Sequence, residues 1–223
     1  MEQVEKWSEG FTEEVYREWK ENYNNLETGI KTFYTPVTEN PPLMIIGYNP
    51  GGDKKSFQKD KKRFENGDFS NPEKSELLTK DYTLARKFRN KIFQDHSDML
   101  EDAVKFDLIF FRSKKASYLK DQLGDDYQEA LDYCYKKSEE VIEELQPEAI
   151  LLYGISTYDK FREYFEEDFE QLETIESSSN NRRIFCKGRW RDTKVFGIIH
   201  PSGAFVSNEE LETVRENLFS EIP

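Results

Sequence analysis

The chain has 223 residues with a net charge of −13, 36% hydrophobic and 35% charged residues. That length suits one α/β domain, and 17 Phe and 12 Tyr supply a sizeable core, which argues against a disordered chain. The apolar runs fall well short of the ~20 residues of a membrane span. The start, Met1 to Trp7, has neither the basic stretch nor the apolar run of a secretory leader. Cys134 and Cys186 stand far apart, which argues against a disulfide framework or a thiolate zinc site and makes the cytosol the expected compartment.

In chain order, Phe11, Val15, Trp19 and Tyr23 recur at spacing four, so residues 11–24 are predicted to be an amphipathic helix. Pro41 and Pro42 break the chain before an apolar strand over 43–48. Residues 53–73 read as polar and irregular, and 74–94 as a helix with an uneven apolar face. A second strand is predicted over 106–111, a helix over 126–145 stopped by Pro147, and a third strand over 149–153. A helix after Gly154 carries Phe161, Phe165 and Phe169 on one face. A hairpin follows, 183–187 and 194–199, turning at Gly188 to Arg191, and a last helix over 208–219 has Ser207 as its N-cap.

Short unbroken apolar strands alternating with helices suit a parallel sheet covered on both faces. The expected architecture is a single three-layer α/β/α domain with a central, mostly parallel, four-stranded sheet. In open sheets of this kind ligands bind beyond the carboxyl ends of the strands. That edge carries Tyr48–Gly52, Arg112–Lys115, Gly154–Thr157 and His200–Gly203.

The charge is uneven. Residues 53–63 sum to +4, 112–120 to +4 and 182–194 to +5, leaving the acid in Glu-rich stretches such as 139–148 and 163–176. Lysine-rich loops can be merely solvated, or can meet phosphate.

Two turns stand out. Gly47-Tyr48-Asn49-Pro50-Gly51-Gly52 follows the first strand, and His200-Pro201-Ser202-Gly203 follows the last. Neither is a Walker loop or a dinucleotide-binding glycine motif, so no nucleotide cofactor is indicated. An Asn-Pro-Gly or His-Pro turn alone is commonly just a turn.

Together, in this order, the two segments resemble the signature segments of the uracil-DNA glycosylase superfamily, nearest its Asn-Pro-Gly mismatch-specific and single-strand-selective branches. The strand Phe106-Asp107-Leu108-Ile109-Phe110-Phe111-Arg112-Ser113 is similar to the superfamily's base-reading strand. The resemblance spans residues 43–205, with firm matches at few positions. It implies a monofunctional glycosylase that hydrolyses the N-glycosidic bond of uracil or another deaminated or damaged base in DNA. It implies no cofactor and no metal.

By that resemblance His200 donates to the base O2 and Asn49 positions the attacking water. Gly47, Tyr48, Pro50, Gly51, Phe57, Asp107, Ser202 and Gly203 form the substrate site, with Phe57 the stacking aromatic and Phe64 the next choice. Ala204 or Phe205 is the wedge, and Lys54, Lys55, Arg112, Ser113 and Lys114 hold the DNA backbone. A monomer with DNA as its partner, no membrane and a cytoplasmic location is expected.

The resemblance departs at one place: the family usually has Asn where this chain has Asp107. An ionised carboxylate only accepts hydrogen bonds. Asp107 therefore prefers a base with a donor there, is protonated by burial, or marks a lost activity. The last option leaves a catalytically inactive module of the same fold that binds nucleic acid or a nucleotide. A small-molecule hydrolase has less support, because no Gly-x-Ser-x-Gly elbow is present.

Overall fold

A computed structural model describes residues 2–201 and 206–222. The chain opens with helix α1 (Glu2–Asn22), which begins well before the predicted residue 11 and buries Val4, Phe11, Val15 and Trp19 on one stripe. Strand β1 (Met44–Gly47) follows the proline break.

The next stretch is helical where an irregular segment was expected. In α2 (Lys54–Glu65), Asp53 and Ser56 form a reciprocal capping box. Phe57 and Phe64, two turns apart, bury the only apolar stripe, and the rest is polar. A regular helix over 74–94 is not formed. It is broken into α3 (Glu76–Thr79), α4 (Thr83–Lys87) and a π-turn over Phe88–Ile92. Arg89 ties the break, donating to the carbonyls of Leu77 at 2.5 Å and Lys80 at 2.8 Å.

Helix α5 (Met99–Asp102) leads into β2 (Val104–Asp107), and α6 (Ala116–Leu123) into α7 (Tyr127–Leu145), where Gln146 takes a left-handed conformation ahead of Pro147. Then come β3 (Ala149–Tyr153), α8 (Ile155–Tyr164), β4 (Phe169–Glu176), β5 (Arg183–Trp190), β6 (Thr193–Ile198) and α9 (Asn208–Phe219). The Ser207 cap of α9 forms, with Glu210 completing its capping box.

The sheet has six strands, not four, in the order β2-β1-β3-β6-β5-β4. Strands β2, β1, β3 and β6 are parallel, as expected; β5 and β4 extend the sheet antiparallel. The hairpin turns at Arg191 and Asp192, later than predicted, so Gly188 stays inside β5.

Side chains alternate between two cores. Met44, Ile46, Val104, Phe106, Ile150 and Leu152 face α1, α2, α7 and α8. Leu43, Ile45, Leu151, Phe196 and Ile198 face α4, the π-turn, α5 and α9. This gives the three α/β/α layers and explains why the central strands read as unbroken apolar runs. The free edge of β2 is covered by residues 30–34, which bond to Phe110 and Lys105, whereas β4 ends the sheet with mostly exposed side chains.

Candidate functional site at the carboxyl edge

Strands β1 and β6 flank β3, so their two turns emerge at one sheet edge, two strand spacings or about 10 Å apart. The β1 turn is strapped to the segment after β2. Leu108 and Ile109 donate backbone bonds to Gly47 and Tyr48, and Ser113 to Pro50. The Asn49 side-chain amide donates to Ser113 Oγ at 3.0 Å and to the Pro50 carbonyl at 3.2 Å. Ser113 Oγ in turn donates to the Lys115 carbonyl at 2.6 Å. With its NH2 held, Asn49 keeps Oδ1 as a directed acceptor.

His200 leaves β6 exposed, its ring at an edge-on angle to Tyr153 with centroids 5.5 Å apart. Gly154 lies beneath it at φ +94, a conformation glycine tolerates, and starts α8. The protein mass on one side pushes the His200 pKa below its ordinary value, while the charge of Asp107 opposes that shift. The imidazole is therefore neutral near pH 7, able to donate from one nitrogen.

Beneath the β1 turn, spanning β2, β1 and β3, lies a buried polar cluster of which only Asp107 was marked by its sequence. Lys105 and Asp107, two residues apart on β2, share one face and are both buried. Asp107 accepts from the hydroxyls of Tyr34 at 2.6 Å and Tyr153 at 2.9 Å, and lies 3.6 Å from Lys105 Nζ. The Lys105 ammonium sits 3.3 Å from the Tyr34 ring centroid, a cation–π contact. Desolvation pushes the Lys105 pKa down, with Asp107 pulling it back; burial and the same carboxylate hold both tyrosine pKa values well above their usual range. Gly47 is opposite Asp107 in register, and a Cβ there would collide with the Asp107 carboxylate and the Tyr153 hydroxyl. Only glycine lets the two side chains meet across β1.

Several expected roles are corrected. Asp107 does not present an open face to a base, since both its oxygens are already engaged by protein donors. Phe57 is not a stacking aromatic at the rim: it is 1% exposed and packs edge-on against Trp19 at 4.9 Å. Phe64 is likewise buried, stacked on Phe69. Arg112 is not free to hold a phosphate, because its guanidinium ends on Asp60 at 3.0 Å and Ser56 at 3.1 Å. Tyr48 is half-buried, with Lys160 Nζ 5.5 Å from its ring, and Pro50 is buried. Gly51 is exposed with open space around it. Ser202, Gly203, Ala204 and Phe205 lie outside the described residues.

Lys54, Lys55 and Lys114 are exposed on the same rim, Lys54 paired with Glu27 at 2.5 Å. A groove of about 500 Å³ opens nearby, walled by Lys31, Phe33, Asp60, Arg63, Phe64 and Glu76; neither Asn49, Asp107 nor His200 lines it. Among the described residues no cluster of His, Cys, Asp and Glu is arranged to hold a metal ion, and no helix is long and apolar enough to cross a membrane. No family model matches the chain, and no curated protein matches it.

Proposed function

We propose that the protein is a uracil-DNA glycosylase-like enzyme that removes uracil or another deaminated or damaged base from DNA by hydrolysis. The observation that carries this reading is the emergence of Asn49 and His200 from parallel strands either side of β3, at one edge of one sheet. The extruded nucleotide enters between the two turns. Asn49 Oδ1 accepts a hydrogen bond from water and aims the water oxygen at C1′ of the sugar. As the C1′–N bond breaks, its electron pair leaves on the base, and neutral His200 donates a hydrogen bond to the anionic O2. The water oxygen bonds to C1′ and its surplus proton passes to solvent. An amide lacks a carboxylate's basicity, so turnover is slow. Exposed lysines on α2 and before α6 meet the phosphates.

One observation favours a second reading, a non-catalytic module of the same fold that binds nucleic acid. The Tyr34 and Tyr153 hydroxyls each already bond one oxygen of Asp107, which is buried, where the resemblance puts the base-reading group.

The test incubates the protein with single- and double-stranded oligonucleotides containing uracil, hypoxanthine or xanthine. The enzyme reading expects abasic product that falls about a hundredfold or more with Asn49→Ala. No product on any substrate at high protein concentration removes it and leaves the binding module.

A further inference from the structure

We propose that Tyr118 is a stacking platform for an unpaired base beside the target nucleotide, so that the carboxyl edge engages single-stranded DNA in preference to duplex; this rests on the nucleic-acid reading of the site above. Tyr118 is 44% exposed, and it and Leu172 are the large hydrophobic side chains left open among the described residues. The two have opposite surroundings. Leu172 sits on β4 between Glu170 and Glu173, a surface that repels phosphate. Tyr118 sits in a stretch, 112–120, that carries Arg112, Lys114, Lys115 and Lys120 and no acid. Lys114, Lys115 and Lys120 are exposed, and Lys115 Nζ lies 5.3 Å from the Tyr118 ring centroid. Asp53 is the acid that faces Lys114 from the neighbouring helix cap.

The fold fixes where the ring stands. Leu119 and Leu123 bury the inner side of α6, which turns Tyr118 outward. One carbonyl, that of Lys115, accepts both the Ser113 hydroxyl at 2.6 Å and the Tyr118 amide at 3.0 Å, and Ser113 also receives the Asn49 amide. The first turn of α6 is thus tied to Asn49 by a short chain of hydrogen bonds. Every base has a π-face, so an aromatic ring among lysines takes a strand without regard to sequence. A duplex keeps those faces stacked inside, and only its phosphates reach the lysines.

Fluorescence anisotropy with an undamaged thymidylate strand of about 15 nucleotides, and a duplex of equal length, tests this. Tyr118→Ala is expected to weaken single-strand binding about tenfold and duplex binding hardly at all, with the salt dependence unchanged. Tyr118→Phe, which keeps the ring, restores it. Equal weakening on both DNAs, no weakening, or no single-strand binding by the native protein overturns the proposal. Because the strand is undamaged, the result is independent of base removal: a protein that yields no abasic product but loses single-strand affinity with Tyr118→Ala fails as an enzyme and keeps the platform.

Discussion

The two ends of the sheet treat positive charge in opposite ways. At the carboxyl edge, Lys55, Lys59, Lys62, Lys115 and Lys120 form no ion pair among the described residues, and Lys114 is faced by Asp53. On the β5–β6 hairpin, basic residues of the third positive stretch are consumed. Arg191 reaches Glu139, Glu143 and Asp168 and stacks on Trp190; Arg183 pairs with Asp159, Arg182 with Glu210, and Lys187 and Lys194 with Glu221. Local sums of +4, +4 and +5 look alike in sequence, yet among the described residues the first two leave several lysines outside ion pairs and the third leaves Arg189 alone. Guanidinium forks suit fixed carboxylate pairs, whereas flexible ammonium groups stay hydrated and available.

Four measurements sharpen or break this contrast. The largest effect is expected at Asp107, the buried carboxylate of the site edge. Asp107→Ala leaves Lys105 buried without its counter-ion and costs about 3–5 kcal/mol, a fall in Tm of about 10 °C; Lys105→Met in the same chain recovers part of it. A Tm unchanged by Asp107→Ala would mean the cluster is not coupled as described.

Next, changing Lys55, Lys114 and Lys115 to Glu is expected to weaken DNA binding roughly a hundredfold at low salt and to flatten the salt slope by about one unit per lysine. The same reversal at Lys194, paired with Glu221 on the hairpin, leaves affinity unchanged. If the two edges respond alike in a salt titration, the contrast fails.

A third measurement uses the imidazole at the site edge. The His200 pKa is lowered from 6.5, so the folded protein binds this proton less tightly than the unfolded chain. The contribution is fully present above pH 6.5 and is lost as pH falls through the lowered value. Unfolding stability is expected to be flat near neutrality and to fall on the acid side. An acid limb that persists unchanged in His200→Gln would assign it to another group.

The smallest effect belongs to the hairpin. Arg191→Ala is expected to cost about 1 kcal/mol, discounted because the side chain is 42% exposed, and to lower Tm by a few degrees without altering DNA affinity.

The sequence made the layers legible and the site only partly so. Strands β1 and β3 were readable as apolar runs bounded by Pro, Gly and polar turns, and α7 and α9 from their periodicity and caps. Strand β4 was not, because as an edge strand it is exposed on both faces and its acidic pattern resembles a solvated helix end. Helix α2 hid behind its lysines, since a stripe of Phe57 and Phe64 is too sparse to register as a period. Asn49 and His200 were marked by their turns. Tyr34 and Tyr153 were invisible until register put Gly47 opposite Asp107. Yet one signal was present: Lys105 and Asp107, two apart in an otherwise apolar strand, must share a face, and opposite charges on a buried face imply a pair.

The outer strand β4 has a consequence of its own. Among the described residues no strand pairs with its outer backbone edge, which makes it a template on which another chain's strand could grow. Glu170, Glu173 and Glu176 line it, so two copies brought edge to edge confront like charge, and the molecule resists fibril-type assembly by repulsion instead of by closure.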